Sequence, residues 1–239
     1  MGAVTKSPTV PLRVWILFAG MALLFTLFPC IDLWLSGVFY RPDTGFWIDG
    51  TWYERIVYLS VQYLLILTVA ALVGAWIYGR LARRGRGPVS GRDLAFLLVL
   101  LLLGPGLVVN LGMKEHWGRA RPVDALPFGG EKTFTPAFVP SDQGGKAFPS
   151  GHAAAVFYLV GVAFVVARRK RLWMRITLEY AALVCFFRIA SGGHSVSDVL
   201  TSLFVVLILF LLLYRLFYGH PPALDEQSAS GRGEAGLPE

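Results

Sequence analysis

A chain of 239 residues with 55% hydrophobic residues, only 15% charged residues and a net charge of +7 has too little polar surface for a soluble domain, where about 25% of residues are charged. Its mean hydropathy is +0.59, and its apolar runs are polar on no face. This excludes amphipathic helices around a water-soluble core and points to a membrane protein.

In chain order, residues 1–11 read as a short cytoplasmic tail. The apolar run from Leu12 lacks a small-residue cleavage site in the usual register, so it reads as a retained first helix rather than a cleaved leader. That span runs to about Leu35, is interrupted by Pro29 and Asp32, and is expected to stop near Cys30. Residues 31–54 carry Trp34, Trp47, Trp52 and several Phe and Tyr, a composition that suits an interfacial belt. Ile56 to Tyr78 is the second span and Leu94 to Met113 the third, which Pro105 should loosen. The connector 114–149 follows. Ala153 to Ala167 reaches spanning length only if its helix starts at Gly151 and continues to Arg168, and the fifth span needs Leu172 to Ser191. Val199 to Phe217 is the sixth.

Arg80, Arg83, Arg84, Arg86 and Arg92 crowd one connector, and Arg168, Arg169, Lys170, Arg171 and Arg175 crowd another. Both read as cytoplasmic loops. Neither is interleaved with stacking aromatics, so no nucleic-acid partner is expected. Cys30 and Cys185 imply neither a disulfide framework nor a thiolate metal site. The expectation is an all-α integral membrane bundle of six transmembrane helices over 12–218. Both termini are then cytoplasmic, 219–239 forms a disordered tail, and the loops after spans one, three and five face outside. The sequence leaves the oligomeric state open.

The polar residues able to do chemistry cluster at one set of expected helix ends. Ser150 is a natural N-cap, so the N–H groups of Gly151, His152 and Ala153 make a positive helix end suited to an anion. Lys114, Arg121 and Arg188 add cationic donors that match phosphate oxygens, and Pro122 restricts the backbone beside Arg121. His194 and Asp198 are four apart on one expected helix face, so Asp198 is placed to accept the proton of one ring nitrogen and free the other as nucleophile or base. His152 is then available to protonate a leaving oxygen. A purely structural buried pair of His194 and Asp198 is the competing reading, although polar groups in membrane helices usually serve function. His152, His194 and Asp198 amid three cations disfavour a metal, so no metal and no cofactor are expected. His116 and His220 fall outside the site.

These segments resemble the type 2 phosphatidic acid phosphatase superfamily. The resemblance is carried by Lys114 with Arg121-Pro122, by Pro149-Ser150-Gly151-His152, and by Arg188, His194 and Asp198, in that order and spacing. It implies a metal-independent phosphatase acting on a phosphorylated membrane lipid, in a bacterial inner membrane with its active site facing the periplasm. His194 would attack phosphorus to give a phosphohistidine, Asp198 would orient it, and His152 would protonate the leaving group and then activate water. Lys114, Arg121, Ser150, Gly151 and Arg188 would hold the phosphoryl oxygens. Phe187 departs from the pattern, because many members carry serine there. The run Gly192 to Leu200 is similar to bacterial lipid A phosphatases, with phosphatidylglycerophosphate and undecaprenyl pyrophosphate phosphatases as alternatives. A non-hydrolytic phosphate or phospholipid transporter is the alternative from another class.

Overall fold

The computed structural model describes residues 10–82 and 87–222. Expectations for residues 1–9, for Arg83, Arg84 and Arg86, and for the tail from residue 223 lie outside the described residues. The chain forms helices α1 (Leu12–Leu27), α2 (Cys30–Gly37), α3 (Trp52–Leu81), α4 (Gly91–Trp117), α5 (Gly151–Val166), α6 (Lys170–Ala190) and α7 (Val196–Tyr218). A hairpin, β1 (Tyr40–Arg41) with β2 (Gly45–Phe46), lies between α2 and α3.

The expected six crossings are not what the chain builds. Among the described residues three helices are long and apolar enough to cross a membrane, namely α3, α4 and α7, or four if α1 and α2 count as one span broken by an 82° bend. The break falls at Phe28-Pro29, because proline interrupts the helical hydrogen-bond ladder. Helix α5 stops at Val166, where Ala167 turns extended. Its 16 residues give only about 24 Å of rise, short of the ~30 Å hydrocarbon core. Helix α6 begins at Lys170 and carries Arg171, Arg175 and Glu179 in its first half, which leaves too short an apolar stretch. Apolar character on every side marked α5 as a span, but it equally marks a helix enclosed by protein.

Enclosure is what α5 shows. Ala153, Ala154, Val156 and Tyr158 are fully buried, and the helix packs against α3, α4, α6 and α7. Small residues let neighbours come close where lipid offers no hydrophobic driving force. At Gly161 an added Cβ would meet Phe210 of α7 at 3.2 Å. Around that contact Phe96, Phe164, Phe210 and Tyr214 pack edge to face. Helix α3, by contrast, buries only Val61 and Leu72 of its 30 residues, as a lipid-facing helix should.

Helix α4 absorbs Pro105 without breaking. Residues Leu102–Lys114 take π-type hydrogen bonding, which accommodates the missing N–H. Asn110 Nδ2 donates to the Pro105 carbonyl at 2.6 Å. The expected aromatic belt is split: Trp34, Trp47 and Trp52 are exposed, whereas Phe46 is buried.

Candidate active site

The site forms where five helix ends meet: the starts of α3, α5 and α7 and the ends of α4 and α6. Each start is defined by a polar side chain. Thr51 Oγ1 accepts the Glu54 N–H at 3.3 Å, Ser150 Oγ accepts the Ala153 N–H at 3.4 Å, and Asp198 Oδ2 accepts the Ser195 N–H at 2.7 Å. These caps fix where the helices begin. The first-turn N–H groups of Gly151 and His152 have no partner within α5, so the helix end remains a donor site. Asn110 of α4 sits against this end, close enough that a Cβ on Gly151 would lie 2.7 Å from its Oδ1.

Helices α5 and α7 are tied directly. The Ser150 N–H donates to the Asp198 carbonyl at 3.2 Å, and Ser202 Oγ donates to the Ser150 carbonyl at 2.8 Å and to the Asp198 carbonyl at 3.0 Å. The loop between α6 and α7 is closed by the His194 N–H on the Arg188 carbonyl at 3.0 Å. Gly192 in that loop has φ +67°, and a Cβ there would meet the Phe46 ring at 2.5 Å. The hairpin therefore seats on the loop only because residue 192 is glycine.

His194 is buried. Its Nδ1 lies 2.7 Å from the Ala147 carbonyl oxygen. A carbonyl only accepts, so Nδ1 carries the proton and Nε2 keeps its lone pair. Asp198 Oδ2 is 3.7 Å from the same nitrogen, beyond hydrogen-bond distance. The group that fixes the tautomer is thus a backbone carbonyl, with Asp198 beside it as a nearby negative charge. Burial, followed by the charges of Arg188 and Lys114, outweighs Asp198 and lowers the His194 pKa from its ordinary 6.5 to about 4.

Arg121 and Arg188 line a cavity of about 400 Å³ together with Glu54, Tyr58, Ser191 and Gly193. Lys114 lies within electrostatic reach of both arginines. His152 feels Arg188, His194 and Lys114, and its ring packs on Tyr58 with centroids 4.2 Å apart. All eight residues singled out in the sequence therefore fall in this one region.

Four contributors were not foreseen. Glu54 of α3 accepts from Arg188 Nη1 at 3.0 Å, although no carboxylate partner for Arg188 was evident in the sequence. Tyr58, one turn along α3, touches both His152 and Arg188, whose guanidinium carbon lies 5.1 Å from its ring centroid. The Ala147 carbonyl is backbone and carries no sequence signal. Arg119 is fully buried between Asp32 and Asp198. Its one visible mark was its place two residues before Arg121. Among the described residues no group of three or more His, Cys, Asp and Glu side chains is placed to hold a metal ion. The donors are cations, suited to an anion.

Residues 93–221 match the family model described as the PAP2 superfamily. The chain is 32% identical over 209 residues to a lipid A 4'-phosphatase of Francisella tularensis subsp. novicida, covering 81% of this chain and 89% of that protein. It is 28% identical to a lipid A 4'-phosphatase of Rhizobium leguminosarum, covering 86% and 94%. A phosphatidylglycerophosphatase B of Bacillus subtilis is 34% identical over 125 residues, 49% of this chain and 55% of that protein. The crystal structure of a transmembrane PAP2-type phosphatidylglycerolphosphate phosphatase from Bacillus subtilis superimposes with a TM-score of 0.58 at 22% identity, covering 86% of this chain and 94% of that one.

Proposed function

The chain belongs to the PAP2 superfamily, and we propose that this metal-independent lipid phosphatase acts on lipid A through a phosphohistidine formed at His194. The observation that carries the mechanism is the 2.7 Å contact between His194 Nδ1 and the Ala147 carbonyl, which keeps the Nε2 lone pair free for attack.

Nε2 forms the P–N bond while the P–O bond to the lipid breaks, its electron pair leaving on the lipid oxygen. His152 protonates that oxygen. In the second half, His152 takes a proton from water, the oxygen attacks phosphorus, and the P–N bond breaks to release inorganic phosphate and restore neutral His194. The imidazole becomes cationic on attack. The Ala147 carbonyl and the nearby Asp198 carboxylate stabilise that charge. Lys114, Arg121 and Arg188 neutralise the phosphoryl oxygens, with Ser150 and the Gly151 N–H at the α5 end. Entry of the phosphate dianion among these cations also favours a protonated His152.

Lipid A is favoured because two lipid A 4'-phosphatases are similar over more than four-fifths of this chain. Phosphatidylglycerophosphate or undecaprenyl pyrophosphate is the second reading, motivated by the likeness to phosphatidylglycerophosphatase B over about half the chain. For orientation, Arg80, Arg92 and the run Arg168–Arg171 gather at the helix ends opposite the site. By the positive-inside rule that end is cytoplasmic and the site periplasmic, in a bacterial inner membrane.

The test is phosphate release by purified protein in detergent with excess chelator, compared across lipid A, phosphatidylglycerophosphate, phosphatidic acid and undecaprenyl pyrophosphate. Lipid A should give the highest kcat/KM, and acid-labile phosphate should be trapped on wild type but not on His194→Ala. A higher rate on another lipid overturns the substrate. Trapping that persists in His194→Ala overturns the nucleophile.

A further inference from the structure

Arg119 lies two residues before Arg121, yet its side chain is fully buried and all three of its nitrogens are engaged inside the protein. Nε donates to the Thr135 carbonyl at 2.9 Å. Nη1 donates to Ser197 Oγ at 2.9 Å and to Asp198 Oδ1 at 2.5 Å. Nη2 donates to Asp32 Oδ2 at 2.9 Å. Asp32 is itself held by α7, accepting the Ser197 N–H at 3.1 Å and the Ser197 hydroxyl.

The backbone of the same residue does a second job. The Ala147 N–H donates to the Arg119 carbonyl at 3.1 Å, and the Ala147 carbonyl is the group that takes the His194 Nδ1 proton. Both acceptors that approach His194 Nδ1 are therefore held by Arg119, Ala147 through the main chain and Asp198 through the guanidinium. A planar fork suits this task, because it meets two carboxylates in fixed directions where a flexible ammonium would not. Without it, two carboxylates would stand buried with no cation between them. With it, Asp198 Oδ1 is taken and only Oδ2 faces the imidazole, at 3.7 Å.

The geometry points to Arg119 as a positioning residue for the nucleophile: its guanidinium fixes the Asp198 carboxylate beside the imidazole and so the aim of His194, with Asp32 on α2 as its second anchor. Asp32 lies outside residues 93–221, the stretch that matches the family. The broken N-terminal helix pair thus reaches the reacting centre through one buried guanidinium. The inference rests on His194 being the nucleophile.

The decisive variant is Arg119→Lys, which keeps the charge and loses the fork. Expected is a fall in kcat of ~100-fold, the usual cost of misaiming a reacting group by about an ångström. KM and inhibition by inorganic phosphate should change by less than ~3-fold, because the phosphate donors Lys114, Arg121 and Arg188 are untouched. A kcat close to wild type overturns the inference, and so does a parallel loss of phosphate affinity. If Arg119→Lys does not yield folded protein, the isosteric Asp32→Asn decides on the same split, with a fall of ~10-fold expected.

A readout independent of turnover separates this inference from the reading it rests on. Histidine-selective ¹⁵N spectra should show one ring held as the Nδ1–H tautomer in wild type and lost in His194→Asn. In Arg119→Lys the Ala147 carbonyl, held through the main chain, keeps that tautomer, but the Nδ1 resonance should shift as Asp198 turns. A wild-type protein that hydrolyses no lipid counts against the proposed function alone. An unchanged Nδ1 resonance in Arg119→Lys counts against Arg119 alone.

Discussion

Arg188 and Glu54 face each other at 3.0 Å on the wall of the cavity, with side chains only 8% and 13% exposed. A cation so placed is oriented by a carboxylate from a different helix, α3. Exposed ion pairs contribute little, but breaking a largely buried one leaves a charge uncompensated. Glu54→Ala should therefore lower the thermal midpoint in detergent and reduce kcat/KM by ~10-fold as Arg188 loses its orientation. Saturating inorganic phosphate supplies a replacement countercharge, so it should narrow the gap in midpoint between the variant and wild type. A gap that stays constant with phosphate would show that Glu54 does not serve Arg188.

The depressed pKa of His194 sets a pH signature. Burial and the neighbouring cations bring it to about 4 from an ordinary 6.5. His194, the proposed nucleophile, therefore stays neutral throughout the mildly acidic range, and its acid limb in kcat/KM should fall near pH 4 rather than 6.5. Stability moves in a defined direction. Between pH 6.5 and 4 the unfolded chain binds a proton at this histidine that the folded chain refuses, so stability declines as pH drops through that window. His194→Gln should remove both effects, giving an inactive protein whose thermal midpoint falls less steeply across the same window. An acid limb at pH 6.5 in wild type would argue against the buried neutral imidazole.

Gly192 and Phe46 make a third test. At φ +67° with the ring only 2.5 Å from a would-be Cβ, Gly192→Ala combines backbone strain with a clash. Strain of this kind costs about 1–3 kcal/mol. The displaced loop carries His194, so activity should fall with stability. Phe46→Ala alone leaves a cavity, because Phe46 is 4% exposed. The two losses should be less than additive in the double variant, with a coupling of ~1 kcal/mol or more. Strict additivity would mean the hairpin does not brace the loop.

Ser150→Ala removes the cap on Ala153, for which about 1 kcal/mol of stability is the usual cost. If the hydroxyl also meets phosphate, kcat should fall by more than ~10-fold, well beyond what a cap explains. Ser150→Gly, a tolerable cap without a hydroxyl, should restore most of the midpoint and none of the rate. Recovery of the rate with the midpoint would make Ser150 a cap and nothing more.

The amino-acid order alone determined the chemistry that could gather here. Ser150 before an apolar run is a helix start wherever the run ends up, because its hydroxyl caps locally. Lys114, Arg121, Arg188, His152 and His194 announced themselves because charge and imidazole are costly beside lipid. What apolarity could not reveal was whether a run meets lipid or protein. Helix α5 is as apolar as a span yet lies enclosed, and α1 with α2 bends through 82° at Phe28-Pro29. The spans are accordingly three or four, where uniform hydropathy had suggested six. Tertiary structure alone decided the partners of the charges. Asp32 and Arg119 are 87 residues apart and Glu54 and Arg188 are 134, distances at which no local periodicity carries a signal. The acceptor on His194 is a backbone carbonyl, a group every residue has, so only folding could choose Ala147.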